Sequence, residues 1–178
     1  MDARPVIDLA ESVSDAADFD ATFAASYPRL VRTLTLVCGD AEVAADCVAD
    51  AFERAYVRWR RVARLDDPVA WVRRVAINRA RDLHRRETRG RRAVARAAGR
   101  LGDGSIAAIG REDDGLGAAV SELPLQQRTA VALHYLEDLS VNDVATAMGL
   151  SVGAVKFHLH QARERLRSTW ISTDEDLP

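Results

Sequence analysis

The chain is poor in the residues that build metal sites, disulfide frameworks and membrane spans. Its 178 residues include two cysteines and four histidines. Cys38 and Cys47 lie outside any CxxC motif or Cys/His array, so neither a zinc site nor a disulfide framework is expected, and both are predicted to be small core residues. No stretch approaches the roughly twenty apolar residues of a membrane span, and the acidic segment 1–18 does not resemble a signal peptide. These absences favour a cytoplasmic protein without membrane insertion.

Catalytic signatures are missing as well. The sequence has no glycine-rich phosphate loop, no nucleophile elbow and no pair of acids in a supporting context. His158 and His160 lie two positions apart on a predicted helix and therefore on different faces, which makes a shared metal difficult. The sequence predicts a protein that is not an enzyme and needs no cofactor.

Alternating runs of β-branched residues are also absent, which predicts an all-α fold. We expect two small helical domains joined by a flexible linker, because residues 87–115 hold six glycines and few large apolar residues. The expected boundaries are an acidic arm at 1–17, a first domain at 18–86, the linker at 87–115, a second domain at 116–170 and an acidic tail at 171–178.

The first domain is predicted to contain three amphipathic helices, near 19–37, 43–59 and 69–86. Asp67 is a plausible N-cap of the third, and Pro68 suits its first position. The apolar side of that helix is predicted to be buried. Its other side is expected to expose Arg73, Arg74, Asn78, Arg79, Arg81, Arg85 and Arg86.

Charge is strongly polarised along the chain. Residues 1–53 hold three arginines against eleven acids, residues 54–100 hold sixteen arginines against four acids, and residues 101–178 hold six basic residues against twelve acids. An arginine-rich middle segment suits a polyanion, since guanidinium groups match the geometry of phosphate. The alternative is a solvated helical face with scattered arginines.

The spacing of small residues near the end of the chain predicts a helix-turn-helix. Ala145 is small where two steeply crossed helices must touch, and Gly149 tolerates the positive φ of the corner. Val155 then packs the second helix on the first, and Ser151 can cap that second helix. The opposite, exposed side is the one that a DNA-binding helix places in the major groove; it carries Gly153, Lys156, Phe157, His160 and Glu164.

Two segments together resemble a known family. AADCVADAFERAYVRWRRV, followed by DDPVAWVRRVAINRARDLHRR, resembles region 2 of the extracytoplasmic-function group of bacterial sigma factors. SELPLQQRTAVALHYLEDLSVNDVATAMGLSVGAVKFHLHQARERLR resembles their region 4. These segments cover most of 19–170 in the family's order. The resemblance implies a sigma factor that binds core RNA polymerase and directs promoter recognition, DNA opening and transcription initiation.

The resemblance also implies roles for individual residues. The polymerase-binding set is Asp46, Asp50, Glu53 and Arg54. The set for the downstream promoter element is Arg61, Arg64, Asp67, Arg74, Asn78, Arg79, Asp82 and Arg85. The set for the upstream element is Ser151, Gly153, Lys156, Phe157, His160, Gln161 and Arg163. Asn78 can donate and accept on a base edge, while neighbouring arginines hold the backbone.

Four positions depart from the family's pattern. Ala49 stands where the family usually has a glutamine, which removes one potential polymerase contact. Phe157-His158 replaces a common Ser-Arg pair, and Gln161 replaces a common arginine. A thymine methyl is the chemically sensible target for Phe157.

By analogy, an anti-sigma protein is a further expected partner. The alternative is a stand-alone regulator of the LuxR class, whose helix-turn-helix is similar but whose first half would be a sensor or receiver.

Overall fold

A computed structural model describes residues 9–97 and 115–174 of the chain, and every element in these two ranges is helical. The first range contains α1 (Leu9–Cys38), α2 (Ala41–Val57), α3 (Trp59–Val62) and α4 (Pro68–Ala97). The second range contains α5 (Gly115–Ser121), α6 (Leu125–Val131), a π-helical segment (Ala132–Leu136), α7 (Val141–Met148) and α8 (Val152–Asp174). The predicted all-α fold is confirmed for this part of the chain.

The first domain is a packed set of long helices. Gly39, at φ +77°, ends α1, and the Asp40 carboxylate caps α2 by accepting from the amides of Glu42 and Val43. The core is made of apolar residues at helical spacing that are at most 2% exposed. They include Leu30 and Leu34 from α1, Val48 and Phe52 from α2, and Val72, Ala76 and Ile77 from α4.

The two cysteines are free thiols that meet in this core. Cys47 is fully buried and Cys38 is half-buried. A hydrogen bond between the two side chains, together with burial, raises the pKa of Cys38, and the same hydrogen bond lowers the pKa of Cys47.

The helices extend beyond the predicted boundaries at several places. Helix α1 begins at Leu9, within the predicted arm 1–17, and Asp15 pairs with Arg60 at 3.1 Å. Helix α4 continues to Ala97 rather than ending near residue 86, so residues 87–97 of the predicted linker are helical. Arginine and alanine are good helix formers and one internal glycine is tolerated, which accounts for the extension. The rest of the predicted linker, 98–114, lies outside the described residues.

The tail also differs from its predicted boundary. Helix α8 runs to Asp174, so residues 171–174 are helical, and 175–178 lie outside the described residues.

In the second domain, Ser140 caps α7 by accepting from the amide of Asp143. Gly149, at φ +64°, adopts the left-handed conformation that the corner before α8 requires. Ala145, Val155, Leu159 and Ala162 are buried between α7, α8 and their neighbours, which confirms the predicted helix-turn-helix.

The two domains pack against each other through a buried carboxylate. Glu137, in the turn after the π-helical segment, is only 4% exposed. It accepts a hydrogen bond from the Thr33 hydroxyl at 2.7 Å and lies 3.4 Å from Arg73 Nη2 and 3.3 Å from Arg29 Nε. We call these four residues the interdomain clasp. Its partners come from α1 and α4, so one carboxylate of the second domain joins two helices of the first.

A second contact fixes the helix-turn-helix beside α4. Arg81 donates from Nη1 to the carbonyl oxygen of Met148 at 2.7 Å. Met148 is the last residue of α7, and Gly149 follows it at the corner. Since the last carbonyls of a helix lack intrahelical partners, the guanidinium satisfies one of them. The second domain therefore docks along α4 at two separate points, Arg73 and Arg81.

Candidate nucleic-acid interfaces

The outer face of α2 carries the four residues predicted to bind polymerase. Asp46, Glu53 and Arg54 are exposed, whereas Asp50 is half-buried. Asp50 accepts from Arg79 Nε at 2.8 Å. The structure therefore brings together two residues that the sequence assigned to different surfaces, because α2 and α4 are adjacent. Three predicted docking residues remain available to a partner, and the fourth is held in an ion pair.

The end of α3 and the loop between α3 and α4 carry the first three residues that were predicted to bind the downstream promoter element. Arg61 and Arg64 are exposed at the end of α3 and just after it. Asp67 accepts from the Ala70 amide at 2.8 Å, so the predicted N-cap is confirmed and this carboxylate stabilises the start of α4. Arg61 lies in α3, and Arg64 lies in the loop that leads to α4.

One face of α4 exposes four further residues of that set, whereas Arg79 is half-buried and bound to Asp50. Arg74 and Asn78 are exposed and lie one turn apart. Further along the helix, Asp82 and Arg85 form a loose ion pair at 3.9 Å, with more than half of each side chain exposed. Such an exposed pair is weak and exchangeable. Polar groups thus line one continuous face, on which Asn78 offers an amide for base-edge hydrogen bonds.

Three arginines of α4 do not belong to the exposed face on which they were predicted: Arg79, which is half-buried against Asp50, and two that contact the second domain. Arg73 is 7% exposed and binds Glu137, and Arg81 is half-buried against Met148. Helical spacing contained a signal for Arg73, because it lies three and four residues before the buried Ala76 and Ile77. For Arg81 the sequence held no such signal, since its acceptor is a backbone carbonyl of the other domain.

The exposed side of the helix-turn-helix carries the upstream-element set. Gly153, Lys156, His160 and Arg163 are exposed, Gln161 is half-buried, and Phe157 is 59% exposed. Ser151 accepts from the Ala154 amide at 3.2 Å, which makes it the cap of α8. Arg163 donates from Nε to the Tyr135 hydroxyl at 2.9 Å. The first turns of α8 thus present a mixed basic and aromatic surface.

His84, on α4 of the first domain, lies close enough to Arg128 of the second domain to be affected by its charge. Burial lowers the pKa of His84 from its ordinary 6.5, and the positive charge of Arg128, on α6, lowers it further. Glu87 opposes this shift and Arg91 adds to it. Arg128 is itself 6% exposed, and its Nη1 donates to the Ser121 carbonyl at 2.7 Å. A proton on His84 would therefore place two cations close together between the domains.

Neither a metal cluster nor a membrane span is found in the described part of the chain. Among residues 9–97 and 115–174 there is no cluster of three or more histidine, cysteine or acidic side chains that could hold a metal ion. Within the same ranges no helix has both the length and the apolar character needed to cross a membrane.

Comparisons with known proteins match both domains. Residues 22–90 match the family model described as Sigma-70 region 2, and residues 114–166 match the one described as Sigma-70, region 4. The RNA polymerase sigma-E factor of Streptomyces antibioticus is 32% identical over 173 residues, covering 91% of this chain and 89% of the relative. The ECF RNA polymerase sigma factor SigW of Bacillus subtilis is 28% identical over 142 residues, covering 72% of this chain and 76% of the relative.

A solved structure supports the same fold. The sigma factor RpoE of Bartonella quintana, crystallised in complex with the anti-sigma factor NepR, aligns with a TM-score of 0.65. The alignment covers 85% of this chain and 95% of that chain, at 22% sequence identity. At that identity the likeness speaks for the arrangement of helices alone.

Proposed function

This chain belongs to the extracytoplasmic-function group of the sigma-70 family. On that premise we propose which of its surfaces binds core RNA polymerase and which bind promoter DNA. As a sigma factor it directs transcription initiation and has the role of a recognition subunit. In our proposal α2 binds core RNA polymerase, α4 holds the melted strand, and α8 reads an upstream duplex element. The observation that carries the proposal is the pair of matched regions, each presenting an exposed polar surface.

The polymerase surface is proposed to be centred on Asp46, Glu53 and Arg54. All three are exposed, and residues seven or eight apart on a helix share one face. Exposed charges of this kind steer association and specify the partner more than they add affinity. Asp50 is proposed to act by orienting Arg79, to which it is bound at 2.8 Å, and its removal would disturb both surfaces.

The downstream surface is proposed to hold one separated strand along α4. Opening a duplex requires better binding of the separated strand than of the paired one, so an extruded base must be held by its edge. The exposed amide of Asn78 can do this, while Arg61, Arg64 and Arg74, also exposed, can hold phosphates. Asp67 supports the site by capping α4.

The upstream surface is proposed to enter the major groove with the first turns of α8. Lys156 and His160 can reach phosphates or base edges, and the exposed ring of Phe157 can contact a thymine methyl. Arg163 is oriented by Tyr135. A single surface of this size binds weakly, but tethering through polymerase raises its effective concentration.

The remaining proposals concern partners and setting. We propose that an anti-sigma protein holds the chain inactive, by analogy with the Bartonella quintana sigma factor RpoE, which was crystallised in complex with the anti-sigma factor NepR. We also propose that the chain works in the cytoplasm without catalysing a reaction. The LuxR-class alternative is disfavoured, because residues 22–90 match sigma region 2 and the described part of the first half is helical throughout rather than an α/β receiver.

The experiment is a pull-down of purified core RNA polymerase with the full-length chain. Asp46→Lys combined with Glu53→Lys should abolish retention. The matched control is Asp18→Lys combined with Asp20→Lys, which makes the same charge change at exposed positions of α1 and should leave retention unchanged. Equal loss for both pairs, or no retention of the wild type, would contradict the proposed docking surface.

A further inference from the structure

A cavity of about 490 Å³ lies beside the interdomain clasp. Residues of α1 and of the start of α4 line it, and Glu137 contributes from the second domain. Ligand sites in proteins have volumes of roughly 300–1,000 Å³. Ala25 and Arg29 line the cavity and are exposed, so a small molecule can reach it from solvent. None of the lining residues belongs to the surfaces proposed for polymerase or promoter DNA.

The two guanidinium groups that line the cavity share one carboxylate oxygen. Arg29 Nε lies 3.3 Å and Arg73 Nη2 lies 3.4 Å from Oε2 of Glu137, while the Thr33 hydroxyl donates to Oε1. Both distances are longer than the roughly 2.7–2.9 Å of a charge-assisted hydrogen bond. Arg73 Nε is buried and has no hydrogen-bond partner among the described residues. The two arginines therefore have more hydrogen-bonding capacity than Glu137 uses.

The charges that line the cavity favour a ligand with one negative charge. Arg29 and Arg73 supply two positive charges and Glu137 one negative charge, so one positive charge is uncompensated. A phosphate carries nearly two negative charges at neutral pH and would be repelled by Glu137. A carboxylate carries one, and its planar geometry matches the guanidinium group.

The hydroxyl groups in the cavity do not compete with the arginines as donors. Thr22 and Ser26 line it, and each donates its hydroxyl proton to a backbone carbonyl four residues earlier in α1. The guanidinium groups are therefore the donors available to a ligand. Ala25 and Val69 supply apolar wall next to them.

We infer that the cavity binds a small organic monocarboxylate whose charged group lies against Arg29 and Arg73. The apolar body of the ligand lies against Ala25 and Val69. This inference does not depend on the binding of polymerase or DNA. Because Glu137 of the second domain is part of the wall, the site is complete only while the two domains are packed together. A ligand that binds only the packed arrangement stabilises it by mass action, so the carboxylate acts as an effector that keeps the domains together.

The test titrates the full-length chain with benzoate, which carries the required charge, and with benzamide, which has nearly the same shape without the charge. Inorganic phosphate is the third probe. Binding is measured by ligand-observed NMR, and circular dichroism checks the folding of every variant.

Two pairs of variants separate the charge from the cavity. Arg29→Ala removes a guanidinium group from the cavity, and Arg32→Ala makes the same charge change at an exposed position of α1 that does not line it. Ala25→Phe fills the cavity from its exposed side, whereas Ala24→Phe adds the same ring at an exposed neighbour outside it.

The wild type should bind benzoate at least about tenfold more tightly than benzamide, and Arg29→Ala should lose about that factor, because a hydrogen bond to a charged group is lost. Ala25→Phe should abolish binding, and both control variants should bind as the wild type does. Benzoate should also raise the midpoint of thermal unfolding of the wild type but not that of Ala25→Phe.

Equal losses for Arg29→Ala and Arg32→Ala, or binding that survives Ala25→Phe, would put the anion outside the cavity and overturn the inference. Tighter binding of phosphate than of benzoate, or no binding of benzoate by the wild type, would overturn it as well. A midpoint that benzoate lowers would mean that the anion displaces Glu137, and would overturn the role of the ligand in keeping the domains together.

Discussion

Replacing Glu137 by alanine should release the two domains from each other. Glu137 is 4% exposed, and the Arg73 side chain it faces is 9% exposed. Removing the carboxylate would leave a buried guanidinium without its counter-charge, a change that costs about 3–5 kcal/mol when one partner of a buried pair is lost. At about 1.4 kcal/mol per tenfold change, even the lower value shifts the balance between packed and separated domains about a hundredfold.

The clasp also provides an internal comparison. Arg29 contacts the same carboxylate at 3.3 Å, but 48% of its side chain is exposed, so Arg29→Ala should cost no more than about 1 kcal/mol. Glu137→Gln keeps an oxygen for the Thr33 hydroxyl while removing the charge, and should give an intermediate effect. An exposed carboxylate of the same domain, Glu122, supplies a neutral control when replaced by alanine.

Separation is measured by the radius of gyration in small-angle X-ray scattering and by the rate of protease cleavage between residues 98 and 114. Far-ultraviolet circular dichroism should stay unchanged, because the helices of each domain are retained. The expected order of expansion is Glu137→Ala, then Glu137→Gln, then Arg29→Ala, with Glu122→Ala unchanged. If Arg29→Ala expands the chain as much as Glu137→Ala, burial is not what makes the clasp strong and the reasoning fails.

The remaining predictions concern α4 and the interface beside it. Asn78→Ala should impair promoter opening, read by permanganate reactivity, more than it impairs retention of core polymerase; equal losses would contradict a base-edge role. A β-carbon added at Gly90 meets no atom within 4 Å, so Gly90→Ala should stabilise α4 by about 1 kcal/mol, read as a raised midpoint of thermal unfolding, whereas Gly90→Pro should lower that midpoint. The pKa of His84 in the folded protein lies below 6.5, so the folded protein binds this proton less well than the unfolded chain does. The contribution of His84 to the free energy of unfolding should therefore be complete above pH 6.5 and should decrease as the pH falls from 6.5 toward the pKa of the folded protein. His84→Gln should flatten this dependence in thermal unfolding, and Arg128→Gln should reduce it.

Local features of the fold were readable from the sequence. The helix-turn-helix rests on Ala145, Gly149 and Val155, whose spacing is dictated by the crossing of two adjacent helices. The caps by Asp67 and Ser151 involve amides three residues away. Each of these features depends on neighbours within about one or two turns, so side-chain size, hydrogen-bonding capacity and helical period are sufficient to predict it.

Features that join distant segments were not readable. Glu137 lies between Leu136 and Asp138 in a polar turn that resembles any exposed loop, yet its carboxylate is buried against Arg73. A charged residue is buried only when a partner elsewhere compensates for its desolvation, and a single sequence does not reveal that partner. The length of α4 is not readable for a different reason: the six glycines of 87–115 favour a linker, although only one of them lies within 87–97.

The position of Arg81 connects the packed arrangement to DNA binding. Arg81 lies on α4 between Asn78 and Arg85, and its bond to the Met148 carbonyl places the end of α7 beside this face. DNA that followed α4 from Asn78 to Arg85 would have to pass the same place. The packed arrangement and an α4 fully engaged with DNA therefore compete, and a ligand that binds the open form better shifts the equilibrium toward it. Weakening the interdomain clasp should increase the fraction of free chains whose domains are separated. The affinity of the free chain for duplex DNA should rise by the same factor as that fraction.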